Sequence, residues 1–150
     1  TIALENPSHY VSLPHEWDEV DFLHVLARRT GCSLLVDVNN VAVSAHNLGL
    51  SPIDWLERID GALIAEIHLA GYHPDPVLGN ELWIDGHDQP ISKGVWQLYE
   101  RLIARIGPRP TLIERDDQLP PYAELQAEAD RARQIMSVCS DTVDAHEQVI

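Results

Sequence analysis

The chain has 150 residues, with 24 aspartates and glutamates against 10 lysines and arginines, and a formal net charge of -14 at pH 7. That length holds one domain with a real core. That charge disfavours a nucleic-acid backbone as partner and invites bound cations. No apolar stretch is long enough to span a membrane and no signal peptide is visible, while Cys32 and Cys139 form no CxxC pair, so a soluble protein of the reducing cytoplasm, free of membrane, is expected.

Residues 1–4 read as a strand that delivers Glu5, with Asn6-Pro7-Ser8 as the loop after it. The sequence opens inside that strand with no turn before it, so further strands upstream are expected. Residues 16–29 carry Val20, Leu23, Val25, Leu26 and Ala27 on one helical face and stop at Gly31. Residues 33–37, Ser-Leu-Leu-Val-Asp, run apolar into Asp37, the pattern of a strand buried on both faces. Residues 41–50, with Asn47 and Gly49, read as a long loop; Ser51-Pro52 then caps and starts a short helix over 53–59. Residues 63–67 form the next strand and deliver His68, followed by a loop over 71–80. A short strand over 81–84 delivers Asp85-Gly86-His87. Residues 95–106 place Trp96, Leu98, Tyr99, Leu102, Ile103 and Ile106 on a helical stripe. Residues 110–113 deliver Glu114, and after Pro120-Pro121 a last helix covers 122–136, with a polar tail over 137–150.

Strands separated by helical crossovers specify an α/β fold with a parallel sheet. No glycine-rich phosphate loop follows any strand, which argues against a dinucleotide fold. A (β/α)8 TIM-type barrel takes about 250 residues. Residues 1–136 are therefore expected to be the C-terminal portion of a metal-binding barrel, about five of its eight strands. With three strands absent, sheet edges would be exposed, and the isolated chain is expected to be unstable or inactive.

Barrel strands aim their carboxyl ends at one mouth, where chemistry sits. Here those ends carry Glu5, Asp37, His68, Asp85 with His87, and Glu114, all metal-ligand types. Gathered together, such groups repel one another or shift their pKa values unless a cation lies among them. Oxygen and nitrogen donors without thiolate suit iron, manganese or zinc, and their number exceeds what one ion needs. Each also has an ordinary reading: Asp37 as a helix cap, His68 as a core histidine, Asp85-Gly86-His87 as a turn. Asn40, three residues after Asp37, reads as a turn residue, a neutral oxygen ligand or a hydrogen-bond donor behind the ligands. His46 and His73 lie in loops that follow strands and can reach the mouth. Trp17, Trp55, Trp83 and Trp96 read as packing residues.

Together, Leu4-Glu5-Asn6-Pro7-Ser8, Asp37-Val38-Asn39-Asn40-Val41, Glu66-Ile67-His68-Leu69-Ala70-Gly71, Asp85-Gly86-His87 and Leu112-Ile113-Glu114 resemble the multinuclear non-haem iron-dependent oxidative enzymes, the group that includes the methanobactin biosynthesis oxidase. The resemblance covers residues 1–136. It implies a xylose-isomerase-like barrel holding two or three irons and O2-dependent modification of a precursor peptide, commonly at cysteine, in the maturation of ribosomally made natural products (RiPP biosynthesis). It also implies a separate peptide-recognition partner protein. By position, Glu5, Asp37, His68, Asp85, His87 and Glu114 would be metal ligands, with Asn40 beside them. The chain departs from the pattern at Ala45-His46-Asn47-Leu48-Gly49: where the family has a histidine after the asparagine, Leu48 cannot ligate, so either His46 substitutes or that role is lost.

Three rival readings use the same residues. A divalent-metal sugar isomerase needs a lysine or histidine beside its substrate, and Lys93 is the only lysine. A phosphodiesterase-like hydrolase of nucleic acid needs a basic groove, which the charge opposes. A truncated or split barrel would act only as an interaction module. For the two enzymes, zinc or manganese would replace iron.

Overall fold

The computed structural model describes residues 2–12 and 14–147, with side chains as far as Val138. Thr1 of the expected first strand, the side chains of Cys139 and His146, and the end of the expected tail lie outside the described residues.

Two apolar runs form the centre of a parallel sheet. β2 (Ser33–Asp37) pairs with β3 (Ile64–Leu69) so that Asp37 stands opposite His68. β1 (Ala3–Glu5) adds beside β2, and β6 (Thr111–Ile113) adds beside β3, giving the order β1-β2-β3-β6. Parallel neighbours need crossovers, and helices supply them. α1 (Glu19–Thr30) links β1 to β2, α2 (Val38–Leu48) and α3 (Pro52–Arg58) link β2 to β3, and α4 (Lys93–Ile106) precedes β6. α5 (Tyr122–Glu147) follows β6. Among the described residues the sheet is open, with β1 and β6 as its edges and no closed barrel.

The helices start where the sequence offers an oxygen to the first free N–H groups. Asp18, Asp37, Ser51 and Ser92 cap α1, α2, α3 and α4, each accepting a backbone N–H from the first turn. Strands and helices meet through apolar side chains: Leu34, Val36, Ile67 and Leu69 on the sheet and Val38, Leu102 and Ile103 on the helices are all but fully buried. Each large side chain in that set contributes about 1.5–3 kcal/mol by leaving water. No helix among the described residues is long and apolar enough to cross a membrane.

Four expectations need correction. Residues 81–84 do not join the parallel sheet: β5 (Gly79–Ile84) pairs antiparallel with β4 (His73–Asp75) in a separate two-stranded sheet. The connection over 76–78 is far too short for a crossover, so only a hairpin can form. The loop expected over 71–80 thereby contributes a strand, and the parallel sheet has four strands. The long loop expected over 41–50 is mostly helix α2, because Asp37 caps its start, Gly49 closes it at φ 67, and Val41, Ala42 and Ala45 bury themselves along one side. Trp17 is 52% exposed rather than packed.

Candidate metal centre

The carboxyl end of the parallel sheet collects the acidic and imidazole side chains. Glu5 closes β1, Asp37 closes β2, His68 is the register partner of Asp37, and Glu114 follows β6 with its N–H bonded to Leu69 O at 2.9 Å. His68 Nδ1 lies 3.0 Å from Glu114 Oε2 and 3.9 Å from Glu5 Oε1, while its Nε2 faces Glu66 Oε1 at 3.7 Å. One donor atom from each of Glu5, Asp37, His68 and Glu114 falls within 4.8 Å of all the others.

The loop after β5 brings the remaining pair to the same place. His87 Nε2 stands 2.7 Å from Asp85 Oδ1 and 3.9 Å from Asp37 Oδ2, and its Nδ1 stands 3.5 Å from Glu114 Oε2 and 3.6 Å from Asp116 Oδ2. His87, Glu114 and Asp116 make a second group within the same 4.8 Å limit, sharing Glu114 with the first. Thus Glu5, Asp37, His68, Asp85, His87 and Glu114 meet at one end of the sheet, although Asp85 and His87 arrive on a hairpin loop rather than a parallel strand.

Asparagines lace the strand ends together. Asn6, which is buried, accepts the Asp37 N–H at 2.9 Å and donates to Asp37 O at 3.1 Å, continuing the β1–β2 ladder through a side chain. Asn40 donates its backbone N–H to Asp37 Oδ1 at 2.7 Å and its amide to Asn6 O at 3.1 Å. Asp37 is therefore both a helix cap and a member of the cluster.

Two participants were not legible beforehand as such. Asn39, fully buried, donates to Asp85 Oδ1 at 2.7 Å; its signal in the sequence is the asparagine doublet directly after Asp37. Asp116 sits in the polar run Glu114-Arg115-Asp116-Asp117, which reads as ordinary loop. His46 and His73 do not enter either group. His46 stacks flat on Trp83, centroids 3.8 Å apart, and donates to Asn80 O at 2.7 Å, so it does not replace the histidine that Leu48 lacks. His73 Nδ1 pairs with Asp88 Oδ1 at 2.9 Å.

The electrostatics match this crowding. Burial pushes the Asp37 carboxyl up to about 7, against the Asn40 N–H and His87, which favour its charge. The Asp85 carboxylate holds the His87 imidazolium up to about 9, against burial. Burial raises Glu5, while His68 opposes it. Burial also works against the Asp85 carboxylate, yet His87, Ser8 and Asn39 outweigh it and leave that group below the usual range.

Buried side-chain atoms without a hydrogen-bond partner include Asp37 Oδ2, Asn39 Oδ1, Asn40 Oδ1 and His87 Nε2. The 2.7 Å approach of His87 Nε2 to Asp85 is an ion contact whose ring N–H does not aim at the carboxylate, which is why Nε2 still lacks a directed bond. Unpartnered buried polar atoms cost about 1–3 kcal/mol each. Donors bonded to one ion at about 2.0–2.2 Å stand no more than about 4.4 Å apart, so groups drawn within 4.8 Å need only a slight contraction to share a cation. The residues present therefore fit a divalent metal, with oxygen and nitrogen donors and no thiolate.

A parallel α/β sheet with carboxylates and imidazoles gathered at its carboxyl end places the chain among candidate metal-binding α/β proteins. More narrowly, the chain belongs to the family described as RiPP precursor modification enzyme MbnB/TglH/ChrH, whose model matches residues 1–137. It is 58% identical over 137 residues to a UPF0276 protein of Caulobacter vibrioides (strain NA1000 / CB15N), covering 91% of this chain and 49% of the relative. It is 56% identical over 138 residues to a UPF0276 protein of Caulobacter sp. (strain K31), covering 91% and 50%. A UPF0276 protein of Vibrio vulnificus (strain YJ016) is 47% identical over 136 residues, covering 90% and 47%. The chain thus spans about half the length of the relatives it matches.

Proposed function

We propose that this end of the sheet holds two or three iron ions, and that the protein uses O2 to modify a ribosomally made precursor peptide at cysteine. In this reading the sheet is the C-terminal portion of a (β/α)8 barrel, and a separate partner protein presents the peptide. The observation that carries it is the convergence of Glu5, Asp37, His68, His87 and Glu114 around unpartnered, buried donor atoms, in a chain of a precursor-modifying family.

Glu5, Asp37, His68 and Glu114 would hold one ion, and His87 with Glu114 and Asp116 a second, with the Glu114 carboxylate common to both. Bound iron would supply the electron transfer between substrate and O2, a task for which zinc has no redox state. The chain's own part is placement. Glu66 Oε1 faces the far nitrogen of His68 at 3.7 Å, and Glu114 orients the near one through the 3.0 Å contact with Nδ1. Asn39 holds the Asp85 carboxylate, and the Tyr10 hydroxyl accepts the Asp85 N–H at 2.9 Å. Asn40 stays beside the ligands, tying Asp37 to Asn6. Taking up a cation displaces the proton that burial favours on Asp37.

The test uses two proteins: this chain, and this chain fused to the part of the Caulobacter vibrioides relative that it does not match. Each is loaded with iron and incubated with a cysteine-containing peptide encoded beside its gene, with and without O2. A mass change that requires O2 and vanishes in His87→Ala is the expected result. Turnover without O2 would favour the sugar isomerase or hydrolase reading. A protein that takes up no metal in either form would leave the interaction-module reading.

A further inference from the structure

Among the described residues only two non-glycine positions have left-handed backbone, His87 at φ 48 and Gln118 at φ 47. Such residues are uncommon and persist where their surroundings hold them. These two lie in different loops, one after β5 and one after β6, and the loops face each other. Asp116 N donates to His87 O at 2.9 Å, joining the backbones directly.

One side chain reaches both loops and a third element besides. Asp88, the residue after His87, accepts from Gln118 Nε2 through Oδ2 at 3.2 Å and pairs through Oδ1 with His73 Nδ1 at 2.9 Å. Its side chain is only 13% exposed, and His73 belongs to β4, so the hairpin and the β6 loop are pinned to the same carboxylate. Gly86 records how tightly this assembly closes. A Cβ there would lie 2.7 Å from His73 Nδ1 and 2.9 Å from Asp88 Oδ1, so the Asp85-Gly86-His87 turn rests on the His73–Asp88 pair.

We infer that Asp88 is a positioning residue: with His73 and Gln118 it clamps the two loops and holds His87 in its left-handed conformation, aimed at Glu114 and Asp37. It touches none of the donor atoms grouped at the mouth and acts through His87. The inference rests on the proposed metal function for its consequence, and on geometry alone for the clamp. Partners that orient ligands in this way change metal affinity by about 10–100-fold when removed.

The experiment compares Asp88→Ala and Asp88→Asn with the parent chain in two readouts. The first, which needs no metal, is hydrogen exchange at the Asp116 amide, with the Ile67 amide in the core strand as reference. The second is Co2+ affinity, followed by its visible absorption. Asp88→Ala is expected to speed Asp116 exchange by about tenfold or more with Ile67 unchanged, and to weaken Co2+ binding by about 10–100-fold. Asp88→Asn keeps an oxygen for His73 and an amide that a rotated Gln118 can meet, so it is expected to recover most of both. Unchanged Asp116 exchange in Asp88→Ala overturns the clamp, as does equal acceleration of Asp116 and Ile67, which would report global loosening. If exchange responds as expected while the parent chain binds no Co2+, the clamp stands and the metal reading falls.

Discussion

The body of the molecule and its mouth are built on opposite rules. In the body, Val36, Val38, Ile67, Leu69 and Leu102 are buried among apolar neighbours, and the Tyr99 hydroxyl is paired with Thr111 Oγ1 at 3.0 Å. At the mouth the bonding is left incomplete. All five buried side-chain atoms without a hydrogen-bond partner among the described residues belong to Asp37, Asn39, Asn40, His87 and Arg115, which follow or close the strands. The body therefore supplies the stability that lets the mouth keep charged groups close together, and the mouth keeps them for something outside the chain's own hydrogen bonding.

Substitutions divide the two regions. The largest effect on folding is expected in the body: Leu102→Ala opens a cavity and costs about 2–5 kcal/mol in urea unfolding, while metal bound per folded molecule stays the same. At the mouth the pH dependence of metal binding comes next. Ligands bind as deprotonated groups, Asp37 loses its proton above about 7 and His87 above about 9, so affinity rises with pH. A titration followed by calorimetry should show about a tenfold gain per pH unit between those values, where one proton is displaced. An affinity that stays flat or falls across that range would remove His87 from the ligand set.

A smaller effect belongs to the α1 start. Asp18→Ala removes the cap on Val20 N and should cost about 1 kcal/mol. Arg58 holds the Asp18 carboxyl below its ordinary 3.8, so the Asp18 contribution is present at neutral pH and lost as pH falls through the folded-state value. Smallest in stability, and sharpest for the comparison, is Asp37→Asn. Asparagine caps a helix as well as aspartate does and removes a buried charge, so the cap is kept and unfolding should shift little. Metal content should nevertheless drop by at least one ion per chain, as elemental analysis would record.

The mouth was more legible in the sequence than the architecture around it. Glu5, Asp37, His68 and Glu114 stand out because each ends an apolar run, and parallel pairing then fixes that all four share one end. The hairpin was hidden because β4 is three residues long and contains Pro74, and its pairing with β5 leaves no trace in local periodicity. The strand at 81–84 was visible, but its direction depended on the partner. Helix α2 was concealed by Asn39, Asn40, Asn47 and Gly49, which read as turn chemistry; burial of Val41, Ala42 and Ala45 overrides that local preference. Asp116 has no apolar run before it, and only the fold of the loop after Glu114 brings it to His87.

The central claim is that the donors at the mouth hold metal in two groups joined by Glu114. The most direct measurement is anomalous diffraction at the iron edge from crystals of the iron-loaded protein. The expected result is a peak among Glu5, Asp37, His68 and Glu114 and another among His87, Glu114 and Asp116, with Asp37 Oδ2 and His87 Nδ1 in bonding contact with iron. A map with no peak at the strand ends would contradict the account.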